Sequence, residues 1–411
     1  MRTTEWRKVP LTLADLCIDT TLRCGQSFRW RKIEDEWLVV SLEPPEGGWL
    51  TAGRHCSLHG RIISLKQDAH HLHYRAAWPR AGAGVAEDNP APKSDDTEDV
   101  VKSYFNLQLD LASLYEQWSR DDANFRKKAP RFSGIRILNQ DAWEALIAFI
   151  CSSNNNISRI TQMVQKLCVF YGPRLGKVGD ELFHDFPPPE ALAGDAVEAH
   201  LRQLGFGYRA RYIAETARLV TEERPPGWLA TLRSPESPSW GNNTSKNAAS
   251  SYKAAHESLL LLSGVGPKVA DCVCLMGLGW GEAVPVDTHV WQIAVRDYNF
   301  GKWKAKAMSR AMYDDVGDHF RQLWGKHAGW AQSVLFTANL RSFSERARPE
   351  PSSVLGPEKA PTKEEPSPAE EAALETRTKR ERSVAVRAVD IDAGSAVAEG
   401  ARRSKRRRTR S

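Results

Sequence analysis

The chain has 411 residues, of which 41% are hydrophobic and 26% charged, and its formal net charge at pH 7 is +6. This length allows two or three domains with a sizeable buried core, and the composition is that of a globular protein. No run of about eighteen apolar residues occurs, so the sequence predicts no membrane span. The excess of positive charge favours polyanionic partners.

Seven cysteines are scattered at irregular spacing along the chain. An odd, irregular set argues against a disulfide framework and indicates a reducing compartment. The first residues, MRTTEWRKVPL, lack the apolar core of a signal peptide. The same short, mixed stretch does not favour a mitochondrial presequence, although a mitochondrial share of the protein stays open.

The first third of the chain reads as β-structure. The β-rich runs are SFRWRK (27–32), EWLVVSL (36–42), HCSLHGRIIS (55–64) and HLHYRA (71–76). Their alternating polar positions predict an antiparallel sheet with one solvated face. Residues 81–99 are of low complexity and are predicted to be a disordered insert. VKSYFNL and DLASLYEQWSRDDANF then suggest one more strand and a helix, which completes a sheet domain over 1–129.

From about residue 130 the pattern changes to helices. Apolar residues recur near every 3.6 positions in DAWEALIAFICSS, ISRITQMVQKLCVFYG, AVEAHLRQLG, YRARYIAETARLVTEE, SRAMYDDVGDHFRQLWG and GWAQSVLFTANL. Residues 234–251 are polar and are predicted to be a surface loop insert within this helical domain, 130–345. The fold class is therefore predicted to be α+β.

Residues 346–411 contain few large apolar side chains and are predicted to be a disordered tail. This tail carries KRER (379–382) and RRSKRRRTR (402–410). A charge run of this kind is usually just a solvated tail. It is also typical of a nuclear-import or nucleic-acid-binding signal, and we expect the nuclear import machinery as a partner.

The chain is organised around the stretch 259–289, LLLLSGVGPKVADCVCLMGLGWGEAVPVDTH. A helix beginning at Tyr252 is predicted to end at Ser263-Gly264, where Gly264 can adopt the left-handed conformation. Val265 is an apolar plug, Gly266 permits close approach, and the following proline suits the first turn of a second helix. The outward backbone N–H groups of such a turn can bind a phosphate.

Two side chains near this turn could carry chemistry. Lys268 lies in the first turn of the second helix, where the helix dipole favours a neutral amine nucleophile, and Cys272 shares its helix face. Asp287 follows a proline-bounded turn and is predicted to cap the next helix. Taken singly, these features would be a turn, a solvated lysine and an ordinary cap.

The combination of LxGVGxKxAD and VDxH resembles the helix-hairpin-helix DNA glycosylase superfamily, and the lysine resembles that of its bifunctional branch. The resemblance covers most of residues 9–345 and is greatest to the eukaryotic 8-oxoguanine DNA glycosylases. It implies that Lys268 is the nucleophile and Asp287 the catalytic carboxylate. It also implies that His289 lies near the phosphate beside a flipped nucleotide, although a surface histidine is the plainer interpretation.

Two further motifs resemble elements that this family uses to hold the base opposite the lesion. CSSNNNISRI matches NNNIxRI, which implies that Asn154 and Arg159 contact an estranged cytosine. GFGYRARY matches GxGYRARY, which implies that Tyr208 is a wedge in the base stack and Arg209 a second cytosine reader. Without the family, these would be a polar interhelix loop and a core aromatic at a helix start.

The resemblance also implies a base-binding pocket. CGQSFRW resembles the family's GQSFRW, so the Gly25 carbonyl would accept a hydrogen bond from the N7–H that distinguishes oxidised guanine. Gln332 and Phe336 share a helix face and would bind the base edge and stack on it, with Cys272 on the opposite side. Periodicity alone would favour a core phenylalanine beside an amide cap.

One position departs from the family pattern. Asn339, in ANL, stands where the family often has an acid, and this substitution weakens the partner expected for His289. Related glycosylases carry a four-cysteine iron–sulfur loop after the catalytic helices, whereas this chain has no cysteine after Cys274. We therefore expect no metal and no cofactor.

The predicted function is a bifunctional DNA glycosylase of base excision repair, monomeric and nuclear. It would excise 8-oxoguanine paired with cytosine from double-stranded DNA through a lysine Schiff base, then cleave the strand 3′ to the abasic site by β-elimination. One alternative is a glycosylase for another damaged base. A second is a DNA-binding module that keeps the hairpin and does no chemistry. Retention of Gly25, Gln332, Lys268 and Asp287 favours the first function.

Overall fold

The computed structural model describes residues 1–33, 50–51, 53–79, 94–237, 251–300 and 308–343. Their N-terminal part is an antiparallel sheet ordered β1-β6-β5-β4-β3, in which β2 also pairs with β6. The strands are β1 Arg2–Thr3, β2 Arg7–Pro10, β3 Arg31–Lys32, β4 Arg54–Leu58, β5 Arg61–Gln67 and β6 His71–Trp78, with a short helix α1 at Ile18–Thr21. The predicted antiparallel sheet is confirmed, but the predicted solvated face is wrong at its centre, because every residue of β5 is buried.

Strand limits differ from the sequence prediction at two places. The run 55–64 is broken at His59 and Gly60, both with positive φ, so it forms the turn and flanking strands of a hairpin. Only Arg31–Lys32 of the run 27–32 is a strand. EWLVVSL (36–42) lies outside the described residues.

VKSYFNL was predicted to be a strand, and this prediction is wrong. Its first four residues belong to helix α2, Thr97–Tyr104, and its last three form the turn that follows. The same helix contains the last residues of the predicted disordered insert 81–99. Asp96 stands at the N-cap position and two acids follow in the first turn, which favours a helix start. Val100 and Tyr104, four residues apart, are buried with the sheet's core. Residues 80–93 lie outside the described part of the chain.

The remaining helices confirm the helical pattern. They are α3 Leu111–Asp121, α4 Ala123–Lys128, α5 Ala142–Ile150, α6 Ile157–Tyr171, α7 Val197–Gln203, α8 Arg209–Arg218, α9 Trp228–Thr231, α10 Tyr252–Leu259, α11 Pro267–Met276, α12 Thr288–Asp297, α13 Arg310–Trp324 and α14 Ala328–Asn339. A hairpin of β7 Arg174–Val178 and β8 Glu181–His184, which the sequence did not reveal, connects α6 and α7.

The ends of the predicted surface loop 234–251 are described, and 238–250 is not. Ser234 is buried and its backbone N–H donates to the Leu278 carbonyl at 2.8 Å, so the loop begins packed against the body. The basic tail, 346–411, lies outside the described residues. Among those described, no helix has the length and apolarity needed to cross a membrane.

Helices α5 and α11 pack together at the centre of the larger hydrophobic core. Every residue of α5 is buried, and α11 is buried from Val269 to its end. Arg29 ties the sheet to this core: its guanidinium donates to both carboxylate oxygens of Glu144 on α5, at 2.9 and 2.6 Å, and to Asp185. The first turn of α11, before Val269, lies at the edge of this core.

Candidate active site

The hairpin between α10 and α11 contains two glycines with different surroundings. Gly264 has φ +74°, and a Cβ there would lie 2.6 Å from the Tyr212 side chain. Gly266 is exposed with extended backbone, and a Cβ there would meet nothing within 4 Å. The fold therefore requires glycine at 264 but gives no reason for one at 266. Close approach of an external ligand to the helix start supplies such a reason.

Lys268 is half-buried in the first turn of α11. Its Nζ lies 3.2 Å from the Ser152 hydroxyl and 5.2 Å from the centre of the Phe149 ring. One turn further, burial raises the pKa of the Cys272 thiol to about 11, although the nearby Lys268 charge opposes the shift. Cys272 is therefore a neutral thiol near pH 7, and Lys268 is the stronger candidate nucleophile of the pair.

Asp287 caps α12 as the sequence predicted. Its Oδ1 accepts the backbone N–H groups of His289 at 2.9 Å and Val290 at 3.0 Å. Its Oδ2 accepts no hydrogen bond from any residue in the described part of the chain. The cap fixes the carboxylate while leaving one oxygen for the pocket, where it can stabilise positive charge.

A single pocket is lined by all six residues predicted for catalysis and base binding: Gly25, Lys268, Cys272, Asp287, Gln332 and Phe336. Its cavity volume is about 50 Å³, which is room for a few water molecules. Sequence reasoning missed Phe149, Met276 and Pro285 in the lining, because no local pattern marks them.

The loop that carries Gly25 is held firmly. Gly25 has φ +85°, a conformation that favours glycine, and its added Cβ would lie 3.1 Å from Ile157. The neighbouring Gln26 amide donates to the Arg136 carbonyl at 2.8 Å and accepts the Leu138 N–H at 3.0 Å. These bonds fix the backbone on which a Gly25 carbonyl would read a base.

The residues predicted to hold the opposite base also lie together. Asn154 adopts φ +46° in the turn between α5 and α6. Tyr208 is 45% exposed, as a wedge requires, and its hydroxyl donates to the Ser153 carbonyl at 3.0 Å. Arg159 is exposed and its guanidinium lies 3.5 Å from the Gly205 carbonyl.

Arg209 differs from the other three. It is only 3% exposed, and its guanidinium donates through Nε and Nη2 to the Ser153 carbonyl and through Nη2 to that of Asn154. This leaves Nη1 as its donor for a base in the present conformation. Arg209 thus holds the turn of Asn154, and the sequence motif gave no sign of this contact.

His289 keeps a partner despite the departure at Asn339. Its Nδ1 lies 3.3 Å from the Asn339 Nδ2, and its ring meets that of Phe336 edge to face with centroids 5.7 Å apart. Arg296 donates to the Asn339 Oδ1 at 3.0 Å. Because arginine only donates, the amide oxygen faces Arg296 and the NH₂ group faces His289. A neutral donor therefore replaces the acid.

One group of side chains outside the pocket has metal-ligand chemistry. Asp68, His71 and His73, at the turn between β5 and β6, bring ligand atoms within 4.8 Å of one another. The Asp68 carboxylate already accepts hydrogen bonds from His73 Nε2 and from two backbone N–H groups, each at 2.7 Å. These contacts account for the cluster without an ion.

Family models match most of the described chain. One described as 8-oxoguanine DNA glycosylase, N-terminal domain, matches residues 8–146, and one described as HhH-GPD superfamily base excision DNA repair protein matches residues 147–315. The N-glycosylase/DNA lyase of Saccharomyces cerevisiae is 37% identical over 358 residues, 83% of this chain and 88% of the yeast protein. N-glycosylase/DNA lyase OGG1 of Arabidopsis thaliana is 33% identical over 341 residues, 82% of this chain and 81% of the plant protein.

Solved structures share the architecture. MBOgg1 in complex with a low affinity DNA ligand has a TM-score of 0.62 at 24% identity, covering 84% of this chain and 100% of that one. The Clostridium acetobutylicum 8-oxoguanine glycosylase/lyase, with DNA containing cytosine opposite 8-oxoguanine, has a TM-score of 0.60 at 23% identity, covering 82% and 94%. At such identities the likeness concerns the fold.

The hairpin, the lysine behind it and the capping carboxylate define a protein of the helix-hairpin-helix DNA glycosylase class. Within that class, the extent and identity of the match to the yeast and plant proteins decide the family. The chain belongs to the 8-oxoguanine DNA glycosylase/AP lyase family, and it is an enzyme, a DNA N-glycosylase with lyase activity.

Proposed function

We propose that the protein excises 8-oxoguanine paired with cytosine through a Schiff base on Lys268 and then cleaves the strand on the 3′ side. The observation that supports this most is the shared pocket, where the Lys268 amine and the Asp287 carboxylate lie beside the base-reading candidates Gly25 and Gln332. The Clostridium acetobutylicum relative is named an 8-oxoguanine glycosylase/lyase, and its structure contains DNA with cytosine opposite 8-oxoguanine.

The chemistry follows from those two groups. As the bond between C1′ and the base nitrogen breaks, its electron pair leaves on the base and positive charge develops on the sugar, where Asp287 stabilises it. The Lys268 lone pair forms a bond to C1′, and opening of the sugar ring gives an imine. Loss of a C2′ proton then expels the 3′ phosphate.

Recognition requires the lesion to leave the helix, at a cost of a few kcal/mol. In the pocket, the Gly25 carbonyl would accept the N7–H that oxidised guanine has and guanine lacks, and Phe336 would stack on the ring. Outside it, Asn154 and Arg159 would bind the orphaned cytosine while Tyr208 fills the gap.

Borohydride trapping tests this proposal. We would incubate the enzyme with duplexes that contain 8-oxoguanine opposite each of the four bases and measure the covalent adduct and the released base. We expect the strongest adduct opposite cytosine and none from Lys268→Gln. Lys253→Gln removes an exposed lysine from the preceding helix, α10, and should trap as the unmodified enzyme does.

Each other result has a definite meaning. Adducts with other lesions but not with 8-oxoguanine would make the protein a glycosylase for a different base. Base release without an adduct would indicate hydrolysis without a lysine intermediate. Binding with neither release nor adduct would reduce the protein to a DNA-binding module.

We also propose that the enzyme acts as a monomer in the nucleus, directed there by its basic tail. The support is the sequence of the tail, with KRER at 379–382 and RRSKRRRTR at 402–410. Fusion of residues 376–411 to a fluorescent reporter should concentrate it in nuclei. The same fusion with the basic residues replaced by glutamine should stay diffuse.

A further inference from the structure

The Ser152 hydroxyl is oriented by two contacts. It donates to the Phe149 carbonyl, at 2.7 Å, and it lies 3.2 Å from the Lys268 Nζ. A serine hydroxyl has one proton, and the Phe149 carbonyl, which can only accept, takes it. The oxygen lone pairs therefore face Lys268, so the amine is the donor in this contact.

This orientation matters for a nucleophile. A neutral amine that donates one N–H to Ser152 has its lone pair directed away from the serine. The Phe149 ring and Cys272 also border Lys268 within the pocket. Ser152 therefore restricts the amine to a limited range of positions beside Asp287.

Ser152 is also the first residue of a short connection, 152–156, which we name the SNN arm. One residue on, the Ser153 carbonyl accepts from Tyr208 at 3.0 Å and from the Arg209 Nε at 3.1 Å. The arm is fixed at both ends: the Asn155 amide donates to the Cys151 carbonyl at 2.9 Å, and Asn156 caps α6 by accepting the Arg159 N–H at 2.9 Å.

The arm therefore joins two parts of the site within a few residues. Its beginning contacts the amine of Lys268, and its middle, at Asn154, carries a candidate reader of the opposite base. Both ends of the arm are hydrogen-bonded, and Asn154 is only two residues from Ser152. A shift of Asn154, or of Arg209 through its bond to the Ser153 carbonyl, on binding a base would therefore move Ser152 as well. A misplacement of a reacting group by about 1 Å can cost roughly 100-fold in rate.

We propose that Ser152 is a positioning residue that couples the identity of the base opposite the lesion to the placement of the Lys268 amine. The proposal rests on the proposed function and deepens it. With cytosine bound, the arm holds Ser152 against the amine. With another base in its place, the arm shifts and the amine loses its position, so discrimination is exerted on the chemical step as well as on binding.

The test is single-turnover excision by Ser152→Ala, with saturating enzyme, on 8-oxoguanine opposite each of the four bases. We expect the rate opposite cytosine to fall about 10- to 100-fold. The rates opposite the other bases should fall much less, so that the preference for cytosine shrinks. Affinity for the duplex should change by less than about twofold, because Ser152 would act on the amine and not on the DNA.

Two variants serve as comparisons. Ser258→Ala removes a hydroxyl from α10 that donates to the Ala254 carbonyl at 2.8 Å, the same kind of backbone bond without a lysine beside it. It should keep the rates and the preference of the unmodified enzyme. Ser152→Thr retains the hydroxyl and should restore most of the rate that Ser152→Ala loses.

The outcomes are distinct. An equal loss opposite all four bases, or no loss, would overturn the coupling. If Ser152→Ala fails to fold, we expect the same loss of rate from Ser152→Cys. The cysteine side chain is close to serine in size, and its sulfur is a weaker acceptor. If the unmodified enzyme releases no 8-oxoguanine from any duplex, the proposed function itself fails, and Ser258→Ala will fail with it.

Discussion

At the scale of single residues, the hairpin glycines separate what the fold requires from what a ligand requires. Gly264 is in the left-handed region and in contact with Tyr212, whereas Gly266 has ordinary backbone and open space. The motif predicts a left-handed conformation at Gly264 and close approach at Gly266, and the φ of +74° confirms the first of these predictions. The structure gives each position a different reason for having a glycine, and substitution at each position tests its reason separately.

Alanine at each position should therefore have a different effect. Gly264→Ala forces a positive φ and a Cβ into Tyr212, which should lower the free energy of unfolding by roughly 2–4 kcal/mol. Gly266→Ala should leave it within about 0.5 kcal/mol but weaken binding to duplex DNA, because the methyl group obstructs the phosphate. Urea unfolding and DNA titration of both variants check this. If Gly266→Ala binds duplex DNA as tightly as the unmodified protein, the hairpin is not part of the DNA interface.

At the scale of elements, His55 links the stability of the sheet to pH. It lies fully buried on β4, with Nδ1 2.9 Å from the Ser64 hydroxyl on β5. Burial, together with the charges of Arg75, Arg31 and Lys66, lowers its pKa to about 3. The folded sheet therefore holds His55 neutral, whereas the unfolded chain protonates it near its ordinary pKa of about 6.5.

The sign follows from this difference. The contribution of neutral His55 to the free energy of unfolding is fully present above about pH 6.5. It is lost as pH falls toward 3, because only the unfolded state takes up the proton in this range. At about pH 5 the loss should be roughly 2 kcal/mol relative to pH 7.5. Urea unfolding at both pH values should show a smaller loss in His55→Gln. His70→Gln, at an exposed position in the turn between β5 and β6, should lose as much as the unmodified protein. Equal losses in all three proteins would contradict this role.

The elements also show where sequence reasoning succeeds. Helices α5 and α6 were predictable because an apolar period agrees with a capping residue, Asp141 or Asn156, at the start of each. Helix α11 was marked by the Gly-Pro pair at its start, and α14 by its apolar period alone. VKSYFNL misled because its valine and aromatics favour a strand, while the helix is decided by the acids before it and by a sheet to pack on. The hairpin β7–β8 is short, and β8 packs against the distant strand β4, which no local pattern reveals.

In the site, motifs identified the pocket's main residues, since each has a fixed place in a short pattern. The contacts of Ser152 with Lys268 and of Arg209 with the Ser153 carbonyl were not predictable. They join segments 116 and 56 residues apart in the chain. Only the packing of α5 against α11 and α8 brings these segments together.

At the scale of the whole molecule, the sheet and the helices meet where the chemistry is proposed. Arg29, four residues after Gly25, is paired with Glu144 on α5, and the end of α5 leads directly into the SNN arm. The Gly25 loop proposed to read the base, the neighbours of Lys268 and the arm are therefore anchored to one buried helix. This common anchor explains how residues from distant segments can keep a fixed geometry around a small pocket.

The charge of the molecule is concentrated at its end. Seven Lys and Arg residues lie in 402–410, so residues 1–401 have a formal net charge of −1 against +6 for the whole chain. Ending the chain at 401 should lower affinity for undamaged duplex and reduce the slope of log K against log salt by about 0.9 for each phosphate that the tail no longer neutralises. The single-turnover excision rate at saturating enzyme should be unchanged.

Anisotropy titrations between about 50 and 200 mM salt measure the slope. A chain with 402–410 in scrambled order keeps the charge and should bind like the original. A full slope in the shortened chain would instead assign non-specific binding to the folded body.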